Sequence, residues 1–386
     1  MSGTPFADDA ALMRIWDALP EARVVGGAVR DVLSHRPVAD IDLASPLEPR
    51  AATAALQAAG LKVVATGLAH GTVTAVLAGR GFEITTLRRD VSTDGRHAVV
   101  AFTTDWREDA ARRDFTINAM SMSRDGSLFD YFGGIGDLRA GRLRFVGNAM
   151  QRVREDYLRV LRYFRFYARY ASQAPDAATE AALAGGITGL SRLSAERVWH
   201  EIRAILGIAS PADAVALMDR LGIWAAVMPE ALAIDRLAAL PADPILRVAG
   251  LLTGDALALA SRLKLSNEDR DRLLRILAVP RIPETAEDDA LRQVLADHRK
   301  DDVLSRTWLD GAPDALRGRI TAMPVPIFPL EGRDVLAAGL PPGPVVGTLL
   351  TGLRQQWLAS GCTMDRDACL AELARRADQA KINGKR

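Results

Sequence analysis

Two aspartates, Asp40 and Asp42, stand two positions apart in the stretch ADIDLA at residues 39–44. The stretch alternates polar and apolar residues, which predicts a strand with both carboxylates on one face. Neighbouring carboxylates repel each other, and a divalent cation such as magnesium offsets that repulsion. The pair therefore predicts a magnesium site for nucleotidyl transfer, a reaction that needs such ions. The alternative is a solvated turn, where the same spacing is common.

Two glycines upstream of this pair favour contact with phosphate. Gly26 and Gly27 lie between a predicted strand and a predicted helix, where the backbone can approach phosphate oxygens closely. Arg30 follows within the first helical turns, where it could reach a phosphate or pair with a carboxylate. Glu83, on a later predicted strand, is a candidate third carboxylate, with a solvent-facing strand residue as the alternative.

The elements that must position these residues follow an order typical of a small mixed α/β domain. We predict helices at residues 10–19, 28–34 and 51–59, and strands at residues 22–25, 39–44, 62–65, 71–77 and 81–87. From residue 150 onward, apolar and aromatic residues recur at helical spacing among arginines, which predicts helices to the end of the chain. The expected domains are residues 1–145, 146–210 and 211–386.

Composition sets wide limits on the function. The chain has 386 residues and a net charge of +1, so total charge does not indicate a polyanionic partner. A local stripe of arginines between Arg139 and Arg169 nevertheless predicts phosphate binding, with a solvated helix face as the alternative. The two cysteines, Cys362 and Cys369, lack the spacing of a metal site and fit a reducing cytoplasm. We expect no signal peptide and no membrane span.

A series of motifs covers residues 24 to about 206. They are GGAVRD with ADIDLA, TGLAHGTVTAVLAGRGFEITTLRRD (66–90), DGRHAVVAF (94–102), RRDFTINAM (112–120), DYFGGIGDLRAGRLRFVG (130–147), REDYLRVLRYFRFYARY (154–170) and SAERVWHEI (194–202). Together they resemble the class II tRNA nucleotidyltransferase and bacterial poly(A) polymerase family. The resemblance implies an α+β fold, with a small mixed-sheet head of the DNA polymerase beta type followed by an all-α neck, body and tail. It also implies a flexible loop at residues 94–102, which begins with Asp94-Gly95-Arg96.

The resemblance implies the site residues as well. Arg113, Asp114 and Asn118 of RRDFTINAM would line a nucleotide site, while Phe115, Ile117 and Ala119 pack inward. Asp156 and Arg159 are three residues apart on a predicted helix and would share a face. A carboxylate beside a guanidinium can imitate a template base, because cytosine and adenine carry an amino group where uracil and guanine carry a carbonyl. The alternative for this pair is a surface ion pair.

Further residues complete these expectations. Arg162 lies one turn beyond Arg159 and joins the implied nucleotide site. Ser194 is expected to cap a helix whose Glu196, Arg197 and Glu201 mainly brace the neck. An indirect contact of Arg197 with a nucleotide is the alternative for that residue. The implied activity is addition of CCA to the 3′ end of tRNA from CTP and ATP, with magnesium and with residues 211–386 in contact with tRNA. Poly(A) polymerase, CC-adding or A-adding enzymes, and a non-catalytic RNA-binding protein stay open as alternatives.

Overall fold

The computed structural model describes residues 4–67, 71–93 and 98–383, so residues 94–97 of the implied flexible loop lie outside the described part. The chain divides into two compact units, residues 1–229 and 230–386. The first is α+β and the second is helical. Of the helices in the described ranges, none combines the length and apolar character needed to cross a bilayer.

The first unit contains all the strands of the described chain. They are β1 Arg23–Val25, β2 Leu43–Ser45, β3 Lys62–Gly67, β4 Thr72–Leu77, β5 Arg80–Thr86, β6 Arg88–Thr93, β7 Ala98–Phe102, β8 Met120–Met122 and β9 Leu128–Asp130. Seven form one mixed sheet in the order β3-β4-β5-β2-β1-β8-β9, and β6 pairs with β7. The predicted flexible loop is therefore wrong for its second half, since residues 98–102 form a strand.

The helices of the first unit lie before or between the strands as far as the fourth helix, and from the fifth onward they come after the last strand. They are α1 Ala10–Ala18, α2 Gly27–Leu33, α3 Pro49–Ala58, α4 Trp106–Ala111, α5 Gly134–Arg139, α6 Ala149–Glu155, α7 Leu158–Tyr170, α8 Ala177–Gly185, α9 Ile187–Leu190, α10 Ala195–Leu206, α11 Ala212–Arg220 and α12 Ile223–Val227. A 3₁₀ turn spans Thr116–Asn118.

The second unit is built from helices. They are α13 Pro244–Leu251, α14 Ala256–Arg262, α15 Asn267–Ala278, α16 Asp288–Asp297, α17 Lys300–Leu309, α18 Asp314–Ala322, α19 Gly332–Ala337, α20 Pro344–Ala359 and α21 Arg366–Asn383, with a 3₁₀ segment at Ile234–Ala239. Proline begins α13 and α20, where its missing N–H costs no helical hydrogen bond.

Two buried clusters hold the first unit together. One packs the apolar face of α1, including Trp16, against sheet residues such as Leu43 and Ile84. The other is aromatic: Phe115 contacts Phe145, Tyr163 and Phe166 with ring centroids 5.1, 5.9 and 5.2 Å apart. Because Phe115 precedes the Thr116–Asn118 turn while the last two rings belong to α7, this cluster fixes α7 against the sheet. The expected inward packing of Phe115, Ile117 and Ala119 is confirmed.

Candidate active site

A cavity of about 530 Å³ opens where β1 meets α2, beside the Thr116–Asn118 turn and helices α7 and α10. It is lined by Gly26, Gly27, Arg30, Asp42, Arg113, Asp114, Asn118, Asp156, Leu158, Arg159, Arg162, Arg165, Phe166 and Arg197. The structure thus brings together most of the residues that the sequence singled out, with Asp40 and Glu83 outside the lining. Arginines outnumber aspartates six to three, which suits a polyanionic ligand.

A second cavity of the first unit is larger, about 900 Å³, but carries different chemistry. Its lining includes Arg36, Arg139, Arg169 and Tyr170, with apolar side chains beneath them. It has no carboxylate and contains none of the predicted site residues. The smaller cavity is therefore the better candidate for catalysis, because it alone of the two combines acidic groups with arginines.

The acidic edge of the candidate site depends on strand register. Leu43 of β2 pairs with Ile84 of β5, and both side chains are buried in the core. Since side chains alternate along a strand, the residues just before them, Asp42 and Glu83, face away from that core. Asp42 belongs to the cavity lining, and both residues are exposed. Register therefore brings the two carboxylates to neighbouring positions on one face.

The pKa of Asp42 lies above its ordinary value. The main cause is desolvation of the carboxylate by the protein atoms around it, although the residue as a whole is exposed. Repulsion from Glu83 and, less strongly, Asp40 raises the pKa further, while Arg113 lowers it. The carboxylates of Asp40 and Glu83 are thus each close enough to oppose the charge of Asp42. Within the described ranges, no group of three or more acidic, histidine or cysteine side chains has metal-binding geometry.

The predicted strand at residues 39–44 is partly wrong, because β2 begins only at Leu43. The backbone N–H of Val25 donates to the carbonyl of Asp42 at 3.0 Å, and the chain of β1 then turns away at Gly26. Residues 39–41 have no β1 partner for this reason. Asp40 and Asp42 therefore precede the strand, and of the two only Asp42 lines the cavity.

Gly26 makes the turn between β1 and α2 at a φ of 66° and a ψ of −120°. Side chains with a Cβ rarely adopt this conformation. A Cβ there would also lie only 3.0 Å from Nη1 of Arg113. Glycine at this position therefore leaves room for the Arg113 guanidinium at the cavity wall. Arg113 pairs with Asp109 at 3.2 Å, which directs it from the opposite side.

Four side chains form a hydrogen-bonded relay along one wall of the cavity. Arg30 donates to Oδ1 of Asn118 at 2.6 Å, and the Asn118 amide donates to Oδ1 of Asp114 at 3.0 Å. Arg162 of α7 donates to Oδ2 of Asp114 from Nε and Nη2 at 2.9 and 2.6 Å. The relay joins α2, the Thr116–Asn118 turn and α7. Arg30 is buried within it and lies 4.4 Å from the Tyr170 ring centroid, so it acts as a brace.

The pKa of Asp114 lies below its ordinary value although the carboxylate is buried. Burial alone would raise the pKa, but the Arg162 charge outweighs it, together with hydrogen bonds from Asn118, Arg162 and the Phe115 N–H. The same pairing raises the pKa of Arg162, against the effect of its own burial. Asp114 is therefore a fixed anion in the wall, and both of its oxygens are occupied by protein donors.

The expectation that Asp156 and Arg159 share one helix is wrong. Asp156 lies in an extended conformation, φ −153° and ψ 109°, in the break between α6 and α7. Its carboxylate accepts from the backbone N–H of Leu158 at 3.0 Å and from Nη2 of Arg197 at 2.8 Å. Arg159 is on α7 and pairs with Glu155 at 2.6 Å. Both residues nevertheless line the cavity. Helical periodicity is not the reason that they lie near each other.

Four lining residues were missed as site residues by the sequence: Leu158, Arg165, Phe166 and Arg197. Arg165 and Phe166 follow Arg162 by three and four positions on α7, so helical spacing could have found them. Arg165 pairs with the buried Glu201 of α10 at 2.7 Å, which confirms the expected bracing role of Glu201. Ser194 stands at the start of α10, but its side chain makes no capping hydrogen bond. Arg197 carries no local signal, because its partner is 41 residues away.

Comparison with known families and proteins identifies relatives along most of the chain. Residues 22–144 match the poly A polymerase head domain, and residues 174–234 match a probable RNA and SrmB-binding site of polymerase A. The mouse mitochondrial CCA tRNA nucleotidyltransferase 1 is 37% identical over 372 residues, covering 91% of this chain and 86% of the mouse protein. The CCA-adding enzyme of Limosilactobacillus fermentum is 32% identical over 370 residues, covering 89% of this chain and 90% of that enzyme.

A solved structure extends the agreement to the fold. The crystal structure of the Bacillus stearothermophilus CCA-adding enzyme in complex with CTP superposes with a TM-score of 0.79 at 30% identity. It covers 98% of this chain and 99% of that one. These relatives match nearly end to end and are named for CCA addition, whereas the polymerase A names belong to family models of two segments of the chain. The chain therefore belongs to the family of CCA tRNA nucleotidyltransferases.

Proposed function

We propose that this chain adds CCA to the 3′ end of tRNA, taking CTP and ATP as substrates without a nucleic-acid template. The observation that carries the proposal is one cavity that holds Asp42, the pair Asp156 and Arg159, and five further arginines. Each addition joins the 3′ hydroxyl oxygen of tRNA to the α-phosphorus of the nucleotide and releases pyrophosphate. The cavity supplies cationic groups for the triphosphate and a polar edge for the base.

The residues divide into roles by chemistry. Arg113 stands beside the Gly26 turn near the acidic edge, which favours a contact with the triphosphate. Asp114 and Asn118 hold the wall together through Arg30 and Arg162, so we assign them to shaping the nucleotide site. Gly26 and Gly27 keep the backbone open at that wall. Asp156 and Arg159 supply an acceptor and donors at the other end, where the base would be selected.

We propose that Asp40 and Asp42 hold magnesium, with Glu83 beside them. The fit rests on the strand register, which brings Asp42 and Glu83 to neighbouring positions on one face. Desolvation is the main cause of the raised pKa of Asp42, and the charges of Glu83 and Asp40 add a repulsion that a divalent cation would relieve. When bound, the cation would assist ionisation of the attacking hydroxyl and stabilise charge on the triphosphate. Arg113 is the protein cation already placed against this edge, since it lowers the pKa of Asp42.

We also propose a division of labour along the chain. Residues 1–145 would be the catalytic head, residues 146–210 the neck that selects the nucleotide, and residues 211–386 the body and tail that contact tRNA. The match of residues 174–234 to an RNA-binding family segment supports RNA contact near the end of the first unit. The free thiols of Cys362 and Cys369 support a reducing compartment, for which we propose the cytoplasm. The mitochondrial relatives make the mitochondrion the alternative.

The deciding experiment incubates the full chain with magnesium, labelled CTP or ATP, and tRNA that lacks its three terminal nucleotides. Addition of CCA supports the proposal. Addition of CC alone, or of A alone to a tRNA ending in CC, would replace it with a partial activity. A long A tract would replace it with poly(A) polymerase activity. Binding of tRNA without extension would favour a non-catalytic RNA-binding protein.

A further inference from the structure

We propose that Arg197 is a positioning residue for nucleotide selection that acts through Asp156. The inference rests on the proposed function and assigns a role to a residue outside the predicted site. Arg197 lies on α10, and its Nη2 donates to Oδ2 of Asp156 at 2.8 Å. Both side chains line the cavity, so the contact is made inside the nucleotide site.

The backbone alone does not hold the Asp156 carboxylate in place. Asp156 is extended between α6 and α7, so neither helix fixes its side chain by periodicity. One oxygen, Oδ1, accepts from the Leu158 N–H at 3.0 Å. The other accepts from Arg197. A carboxylate with one anchored oxygen can still rotate about that contact, and the second contact fixes its plane. The direction in which Asp156 presents its free acceptor positions therefore depends on Arg197.

The donor half of the pair is held independently of Arg197. Nη1 of Arg159 donates to the Glu155 carboxylate at 2.6 Å and to the Arg152 carbonyl at 3.0 Å. Nη2 of Arg159 donates to the Arg112 carbonyl at 3.3 Å. Removing Arg197 leaves these three contacts intact. It is therefore expected to disturb the acceptor half alone, the half that distinguishes an amino group from a carbonyl on the incoming base.

The exposure of the pair argues against a mainly structural role. The side chain of Arg197 is 36% exposed and that of Asp156 is 26% exposed. Ion pairs this accessible to solvent contribute little to folding stability, because water screens them and ordering two side chains costs entropy. Orientation of the Asp156 carboxylate is the larger consequence of the contact. Arg197 in turn carries its charge at the cavity wall, where Asp156 neutralises it.

The test compares Arg197→Ala, Arg197→Lys and a charge-matched control, Arg154→Ala. Arg154 is exposed on α6 and lies outside the cavity lining. For each variant, kcat and KM are measured for CTP, ATP and UTP on tRNA lacking its terminus. We expect Arg197→Ala to lower the ratio of kcat/KM for CTP over UTP by about tenfold, the low end for one base contact. KM for CTP should rise more than kcat falls, Arg197→Lys should restore part of the ratio, and Arg154→Ala should leave it unchanged.

A double-mutant cycle with Asp156→Ala separates action through Asp156 from direct contact with the nucleotide. If Arg197 acts through Asp156, the double variant discriminates no worse than Asp156→Ala alone. Additive loss, equal loss for CTP and UTP, or an unchanged ratio with a lowered Tm would each overturn the proposal. Extension by the wild-type chain is scored separately. If the wild-type chain does not extend tRNA, the proposed function is wrong. If the wild type extends tRNA but the double-mutant cycle gives one of the contrary results, only the role of Arg197 is wrong.

Discussion

Arg162 and Asp114 form a two-donor pair, with Nε and Nη2 both bound to the same carboxylate oxygen at 2.9 and 2.6 Å. The two residues are 48 positions apart and join the sheet-bearing part of the first unit to α7. Removing Arg162 would leave a buried carboxylate without its compensating charge. We expect Arg162→Ala to lower the free energy of unfolding by about 3 kcal/mol at neutral pH, measured by urea unfolding. Arg220→Ala, which breaks an exposed pair with Glu180, should change it little.

The pair of Arg162 and Asp114 also predicts that folding stability depends on pH. The pKa of Asp114 is lowered in the folded state, so its ionised form contributes stability above the ordinary aspartate value of 3.8. That contribution is lost as pH falls through the lowered pKa. Without Arg162 the pKa should rise above its ordinary value. The deficit of Arg162→Ala should therefore be full at pH ~7, begin to shrink as pH falls through that raised pKa, and shrink further below pH ~4. Urea unfolding of both proteins across this interval checks the trend, and a deficit that grows toward acid pH would contradict it.

Arg30 is expected to behave as a brace for the fold. It is 7% exposed, donates to Asn118 and Asp31, and lies over the Tyr170 ring. Arg30→Ala should lower stability by about 3 kcal/mol, because it leaves buried polar partners unpaired. Arg30→Lys should recover little, since a lysine cannot reproduce the planar fork and the stacking. Retained stability in Arg30→Ala, with only weaker nucleotide binding, would instead make Arg30 a phosphate ligand.

Gly26 should be intolerant of a side chain for two separable reasons. Its φ of 66° is unfavourable for alanine, and a Cβ would crowd Arg113 at 3.0 Å. Gly60 has a φ of 75° and open space around it, so Gly60→Ala carries the backbone strain without the crowding. Both variants should lose about 1 kcal/mol or more of stability. Only Gly26→Ala should also raise KM for CTP and ATP. Equal KM values in the two variants would show that the Arg113 side chain accommodates a Cβ at residue 26 without loss of substrate binding.

Asp42→Asn tests the magnesium site by stability as well as by activity. The change removes one of the opposed carboxylates while keeping the shape of the side chain. Added magnesium should raise the Tm of the wild type but not that of the variant, because binding to the folded state stabilises it. Extension should fall by about 100-fold or more, since loss of a supporting partner already costs 10–100-fold. Asp8→Asn, at an exposed turn, should keep the magnesium response. If magnesium raised the Tm of Asp42→Asn as much as that of the wild type, the ion would bind at another site.

Local sequence patterns alone were sufficient to predict many of the secondary-structure elements and site residues of this protein. The predicted helices and strands of the first 90 residues are present, with ends shifted by a few positions. The glycine turn, the acidic pair and the RRDFTINAM segment were found because each carries a short-range signal: a required backbone conformation, a repulsive charge pair, or alternation of buried and polar residues. The order of these motifs was sufficient to indicate the family.

Tertiary structure decided which side chains meet. Nothing in REDYLRVLR marks a break, yet the chain leaves the helix at Asp156, where Arg197 and the start of α7 hold the carboxylate. Of the arginines between residues 139 and 169, the resemblance singled out Arg159 and Arg162, and packing added Arg165 to the candidate site. β2 likewise begins where β1 supplies a partner. In each case the deciding contact joins residues far apart in the chain, and the free energy of such contacts depends on the packed elements that bring them together.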